Sequence, residues 1–239
     1  MEETFDLRIQ GCRVPIRVIR ERRPNTRAAI GANAVILRLP LLLSKEQKQA
    51  QINWLEDWLL QIMTRKPELL KRFQPRQYQH GEVLVVGERH YTLHIEYSDK
   101  MSHRGQLQCG VIRLQLSTRA PEDTVGQLLS RLIAKDYLPD IIARVAILNS
   151  QFFRKKVNTV ALKHTRSRWG SCSSRGNINL STRLLFAPTD VQDYVIIHEL
   201  AHLAEANHSP RFWKLVREAM PDYKNKEKWL QDNAHLCRF

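Results

Sequence analysis

An α+β architecture in two parts is predicted: a β-rich N-terminal domain with one helix over residues 1–118, and a helix-rich C-terminal domain with a small antiparallel sheet over 119–239. Three observations predict it. Apolar and polar residues alternate with period two over residues 4–39 and 81–117. Apolar residues recur at helical spacing over 124–149 and 189–203. Pro121 separates the two patterns, which places the domain boundary near residue 119.

Thr4 to about Arg20 alternates Phe5, Leu7, Ile9 and then Val14, Ile16, Val18, with Gly11 between the runs, and predicts a β-hairpin. A basic segment, Arg20 to Arg27, precedes a strand over Ala32–Leu39 that Pro40 ends. Ser44 followed by Gln47 is a capping-box pattern that opens a helix to about Thr64, with Ile52, Leu55, Leu59 and Ile62 on one face. Pro67 and Pro75 bracket a shorter helical piece. Val83, Val85, Tyr91, Leu93 and Ile95 then alternate around a Gly87 turn, and Val111, Leu114 and Leu116 make a further strand. His90 and His94 lie four apart on a strand, about 13 Å, too far to share a ligand. In the second half a helix is expected over Thr124–Asn149, with Pro139 breaking or kinking it. Val157–Leu162 is strand-like, and residues 164–181 read as a hairpin whose second strand is Asn177–Ser181. Thr189 with Gln192 forms a second capping-box pattern before the apolar positions Val195, Ile196, Ile197, Leu200 and Leu203. No internal repeat is legible.

The formal charge of +14 and pI near 10 point to a polyanion as partner: nucleic acid, a nucleotide, an acidic protein or a membrane surface. The basic residues are spread along the chain, so an ordinary solvated basic surface explains them equally well. Cys12, Cys109, Cys172 and Cys237 form no Cys-x-x-Cys pair, which argues against a disulfide framework or a cysteine metal site. The acidic start, Met1 to Asp6, lacks the build of a signal peptide, and no apolar run is long enough to span a membrane. A reducing cytoplasm is the expected compartment.

The chemistry concentrates at His198-Glu199-Leu200-Ala201-His202. Histidines four apart share one helix face and can share one metal ion, while Glu199 is rotated by roughly 100° and suits a general base beside the metal. This is the HExxH pattern of zinc hydrolases, so one Zn²⁺ per chain is expected. Catalytic zinc takes three protein ligands. On a straight helix His208 would lie about 15 Å from His198, so the chain must turn back if it is to contribute. Asn207 tolerates the left-handed conformation that ends helices, and Ser209-Pro210 reads as the cap and first residue of a helix to about Met220. Glu205 and Glu218 compete for the role; ligand preference and the corner favour His208.

Four blocks together resemble the YgjP-like family of metal-dependent hydrolases: Arg168-Trp-Gly-Ser-Cys172, Gly176-Asn-Ile-Asn-Leu180, Asp193 through His202, and Asn207-His-Ser-Pro-Arg-Phe-Trp213. The strong part covers residues 155–230, with a weaker likeness in the N-terminal half. That family is similar to the SprT-like zinc proteases. The resemblance implies a zincin-like C-terminal domain, zinc ligands His198, His202 and His208, and a catalytic Glu199.

Three functions follow as expectations. The first is a zinc-dependent metallopeptidase acting on a peptide or protein, with strand Asn177–Ser181 adding to an extended substrate. Arg166, Arg168 and Tyr194 are the candidate oxyanion or substrate partners, joined by Asn177 and Asn179 on that strand. The second is a metal-dependent nucleotide (phosphoanhydride) hydrolase, with Arg166, Arg168 and Arg175 holding phosphates. The third is a nucleic-acid-associated, SprT-like protease whose basic N-terminal half is the binding module. Trp169, Phe212 and Cys172 read as packing.

Overall fold

In a computed structural model the chain is a mixed α+β protein, described over residues 3–31, 34–67, 69, 73, 76–121, 123–165 and 168–239. It divides into two compact units, 1–75 and 76–239. The division does not fall near residue 119. The physical reason is the core: Leu84, Leu93, Ile112 and Leu114 from the second β-rich stretch pack in one cluster with Leu129, Ile133, Ile178 and Ile197. The apolar faces of strands 83–117 are buried by the helices that follow them, so the change of pattern at Pro121 is internal to one unit.

The first unit is a four-stranded sheet and a helix. Strands β1 (Glu3–Ile9) and β2 (Cys12–Glu21) form the expected hairpin, turned by Gln10 and Gly11, both at positive φ. Strand β3 (Arg27–Ile30) starts at the last residue of the basic segment, where no strand was expected, and pairs with β4 (Val35–Pro40). The sheet order is β1-β2-β4-β3, with β2 and β4 parallel. Helix α1 (Lys45–Arg65) starts at the predicted capping box: Ser44 Oγ accepts from the Gln47 N–H, and Gln47 Oε1 accepts from the Ser44 N–H. Leu55, Leu59 and Met63, one turn apart, bury its inner stripe against Ile9, Val14, Ile16 and Leu37. The helical piece expected between Pro67 and Pro75 falls largely outside the described residues.

The second unit repeats this wiring. β5 (Val83–Val86), β6 (Arg89–Ser98), β7 (Arg104–Gln108) and β8 (Val111–Ser117) are ordered β5-β6-β8-β7, again with antiparallel outer pairs and a parallel central pair, and again followed by a helix. The structure thus holds a topological repeat that the sequence hides, because pleat alternation constrains only polarity, not residue identity. Helix α2 (Thr124–Leu148) runs through Pro139 without a break. Arg89 supports it from outside, donating to the Asp136 carbonyl at 2.8 Å in the turn before the proline. A π-type turn, Asn149–Phe153, ends the helix.

The last sheet is mixed, not antiparallel as expected. β9 (Thr159–Lys163) runs parallel to β11 (Asn177–Ser181), and β10 (Gly170–Cys172) antiparallel to it, in the order β10-β11-β9. The chain leaves β9, forms the β10–β11 hairpin, and returns β11 to the middle. Helices α3 (Thr189–Ala201), α4 (Pro210–Ala219) and α5 (Tyr223–Asn233) complete the unit. Among the described residues no helix is long and apolar enough to cross a membrane.

Candidate metal centre

Helix α3 is buried on nearly every side, with Val191, Tyr194, Ile196, Ile197, Leu200 and Ala201 all in the core. Its start differs from the expected capping box. Pro188 is the cap residue, and the Gln192 side chain donates to the Ala187 carbonyl at 2.9 Å instead of closing on Thr189. Two ion pairs fix the helix. Arg144 of α2 forks onto Asp193, with Nε 2.6 Å from Oδ1 and a second guanidinium nitrogen on Oδ2. Lys226 of α5 reaches Asp190 at 2.6 Å.

The helix ends at His202, which has the C-cap position. Backbone N–H groups of Leu203 and Ala204 bond three residues back, so the last turn tightens. Asn207 is not left-handed; the corner is made by this tight turn and by a 2.7 Å bond from the Ser209 N–H to the Asn207 carbonyl. Ser209 then caps α4, accepting from the Phe212 N–H, with Pro210 in the first turn as expected. The corner swings His208 back over α3.

The result is a convergent set of imidazoles. Ligand atoms of His198, His202 and His208 all lie within 4.8 Å of one another, and His198 Nε2 and His208 Nε2 are 3.0 Å apart. Nitrogens bonded to one tetrahedral zinc at about 2.0–2.1 Å sit roughly 3.3 Å apart, so the donor set fits that ion. His202 Nδ1 lies 3.2 Å from the Glu205 carbonyl, an acceptor only, which puts the ring proton on Nδ1 and leaves Nε2 free to coordinate. Burial holds His198 neutral, its pKa pushed down to about 4 with help from the neighbouring His202 and His208. Burial likewise lowers His202. Neutral imidazole is the coordinating form. The buried Phe212 ring underlies the group, its centroid 4.9, 4.6 and 4.8 Å from those of His198, His202 and His208. Trp213 stacks on His208 at 5.7 Å and on Tyr223 at 5.4 Å. Glu205 contributes its backbone carbonyl alone to this arrangement, and Glu218 faces Lys214 at 3.8 Å.

Glu199 is 5% exposed and lies against β10. Burial raises its pKa to about 7, opposed by the charge of Arg168. A Cβ built on Gly170 would stand 2.5 Å from Glu199 Oε1 and 2.7 Å from its Cγ. Gly170 therefore leaves the space that the carboxylate occupies, a role missed in the sequence reading. The available signal was a glycine inside a strand, which marks a close approach.

The other candidate residues scatter. Arg166 lies outside the described residues. Arg168 is exposed and close enough to act on Glu199. Tyr194 is 4% exposed and edge-on to His198 at 6.0 Å, so it packs behind the imidazoles. Asn177 and Asn179 sit on the central strand β11, where Asn177 Oδ1 accepts from Thr159 Oγ1 at 2.9 Å and Asn179 Nδ2 donates to Ser171 Oγ at 3.4 Å. Both sides of β11 are paired, so among the described residues the outer strand of this sheet that lies beside Glu199 is β10, not β11. Arg175 is exposed on the β10–β11 turn. Trp169 stacks under the Arg183 guanidinium at 4.6 Å, as packing. Cys172 is half-buried and its pKa is pushed up to about 11, chiefly by burial.

Comparison with curated proteins gives no significant match. Among solved structures, the metallopeptidase zymogen abylysin of Pyrococcus abyssi aligns at 23% identity and TM-score 0.37, covering 41% of this chain and 96% of its own. The zymogen jannalysin of Methanocaldococcus jannaschii aligns at 18% identity and TM-score 0.34, covering 38% of this chain and 92% of its own. The family model described as "YgjP-like, metallopeptidase domain" matches residues 25–233, which takes in most of both compact units. The chain belongs to the YgjP-like metallopeptidase-domain family.

Proposed function

We propose that the chain is a zinc-dependent peptidase in which His198, His202 and His208 hold the metal and Glu199 is the general base. The observation that carries this reading is the convergence of three imidazoles beside a buried carboxylate and the outer strand of a sheet. Three histidines are a donor set suited to zinc, and when bound the cation supplies Lewis acidity, lowering the pKa of a water and polarising the scissile carbonyl. An extended peptide pairs with the outer edge of β10, which sets its carbonyl near the imidazoles. Glu199, poised near neutrality by burial, takes the proton of the attacking water and returns it to the departing amine. The Phe212 floor and the Arg144–Asp193 fork keep α3 and its side chains in register.

Incubation of the purified, zinc-loaded chain with an unfolded protein tests this, with Glu199→Gln as the blank. Wild type cleaves, and the variant loses about 10²–10⁴-fold in rate while keeping its metal. Peptide cleavage undiminished in Glu199→Gln would refute the assignment of the base. The charge of Arg168 beside Glu199 favours a phosphoanhydride substrate as the second reading. Turnover of nucleoside triphosphates without proteolysis would transfer the function to it.

A further inference from the structure

We propose that the outward face of the first sheet binds the phosphate backbone of a nucleic-acid duplex. This rests on the first unit alone and is independent of the metal centre. Alternation sends Val14, Ile16, Val35 and Leu37 to the α1 side, so the partners between them face the other way. That other face carries Arg8 on β1, Arg13 and Arg17 on β2, Arg38 on β4 and Arg27 on β3. Arg22 and Arg23, exposed just beyond β2, extend it, and line with Glu21, Arg27 and Arg38 a cleft of about 530 Å³. The acidic groups interspersed are Asp6, 2.5 Å from Arg13, and Glu21, which bridges Arg27 and Arg38. A guanidinium has five donors, so each paired arginine keeps some for a further anion.

The register shows that the fold does not ask for this charge. Arg8 stands directly across from Arg13, and Arg27 directly across from Arg38. Like charges at directly opposed positions cost stability. The second sheet, with the same wiring, serves as an internal control. At the corresponding pairs it sets Val85 across from His90, Arg104 across from Gln115, and Gln106 across from Arg113. The same architecture is thus built without opposed arginines, and with Asp6 and Glu21 as the two carboxylates set among Arg8, Arg13, Arg17, Arg27 and Arg38, the first sheet's face keeps a surplus of positive charge.

The shape of the patch selects the partner. From the Arg8–Arg13 pair to the Arg27–Arg38 pair is six residues along β2 and three strand spacings across, a diagonal of about 24 Å. That matches roughly seven base pairs of duplex at 3.4 Å each. Arginine forks suit phosphate oxygens. The face has no aromatic ring on which an unstacked base could lie, so a single strand gains nothing by stacking there. Its large aliphatic side chains, Ile19 and Ile36, are half-buried in the sheet and cannot enter a lipid layer. Contacts limited to phosphates position a duplex without reading its sequence.

Fluorescence anisotropy of the full chain with labelled 20-base-pair DNA and RNA duplexes tests this, with a single strand of equal length and anionic phospholipid vesicles as the other arms. Four to five phosphate contacts give a slope of about −4 in log K against log salt, a loss of roughly 250-fold between 50 and 200 mM. The double variant Arg22→Ala/Arg23→Ala, outside the strand ladder, flattens the slope by about 2. The sister-face variant Arg104→Ala/Arg113→Ala leaves it unchanged. Tighter binding of one duplex type identifies the backbone form preferred and supports the proposal. It is overturned if neither duplex binds with this salt dependence, if single strands or vesicles bind more tightly than duplex, or if the sister-face variant weakens binding as much as the Arg22/Arg23 variant.

Discussion

Gly170→Ala probes the link between the β10 strand and the proposed base. The added methyl would sit 2.5 Å from Glu199 Oε1, 2.7 Å from Cγ and 2.8 Å from Cδ. Ordinary contacts of this kind lie near 3.5–4.0 Å, so the carboxylate must retreat by about 1 Å. Glu199 is 5% exposed, so the shift takes place within packed surroundings and displaces it from the imidazoles. A displacement of 1 Å in a catalytic group costs on the order of 10²-fold in rate, and overpacking of a tight site costs about 1–3 kcal/mol in stability. The three atoms nearest the methyl all belong to Glu199, so bound zinc stays near one per chain. The assay is kcat/KM for peptide hydrolysis in wild type, Gly170→Ala, Glu199→Gln and the double variant, with metal content measured on each sample. Because both changes act on one carboxylate, the double variant falls no lower than Glu199→Gln alone. A metal-loaded Gly170→Ala enzyme within twofold of wild type would refute the reasoning, since it would mean that the position of Glu199 is irrelevant to the chemistry.

Three further outcomes are expected. His208→Ala loses zinc on dialysis, while Glu205→Ala keeps it, because Glu205 serves His202 through its backbone carbonyl; equal retention in the two, measured by atomic absorption, would contradict the ligand assignment. Arg144→Ala leaves the Asp193 carboxylate buried and unpaired at 8% exposure, and destabilises the chain by about 3 kcal/mol in urea unfolding, toward the low end for orphaning a buried charge because Arg144 itself keeps solvent contact. Adding Asp193→Asn recovers part of that loss, and a cost below about 1 kcal/mol for Arg144→Ala would show the fork to be ornamental. Iodoacetamide at pH 7.5 labels the exposed Cys109 first, whereas Cys172 and Cys237, each with a pKa pushed up to about 11 by burial, stay largely protonated and lag; peptide mass mapping that finds Cys172 labelled as fast as Cys109 would disprove the protonated thiol.

Local chemistry was legible in the sequence wherever near neighbours decide the structure. The hairpin around Gly11, the Ser44 capping box, the Ser209-Pro210 start of α4 and the His198/His202 spacing all appear as expected, because each is set by residues within a turn of one another. Even there, competition can shift the outcome. Gln192 bonds to the Ala187 carbonyl instead of closing a box on Thr189, and Pro139 is absorbed by α2.

What the sequence alone determined is the alternation that makes the sheets, the amphipathic and buried helices, the paired histidines with Glu199, and the net charge of +14. What only the tertiary structure decided is how distant segments meet. Period-two patterning specifies which side of a strand is apolar, not which strand lies beside it, so the repeat of sheet wiring, the central place of β11 and the outer place of β10 stayed hidden. Charge counted along the chain says nothing of its facing, so the opposed arginines of the first sheet emerge only from the register. The space that Gly170 leaves for Glu199, a contact 29 residues apart in the chain, exists because β10 lies against α3, and no local rule reports it.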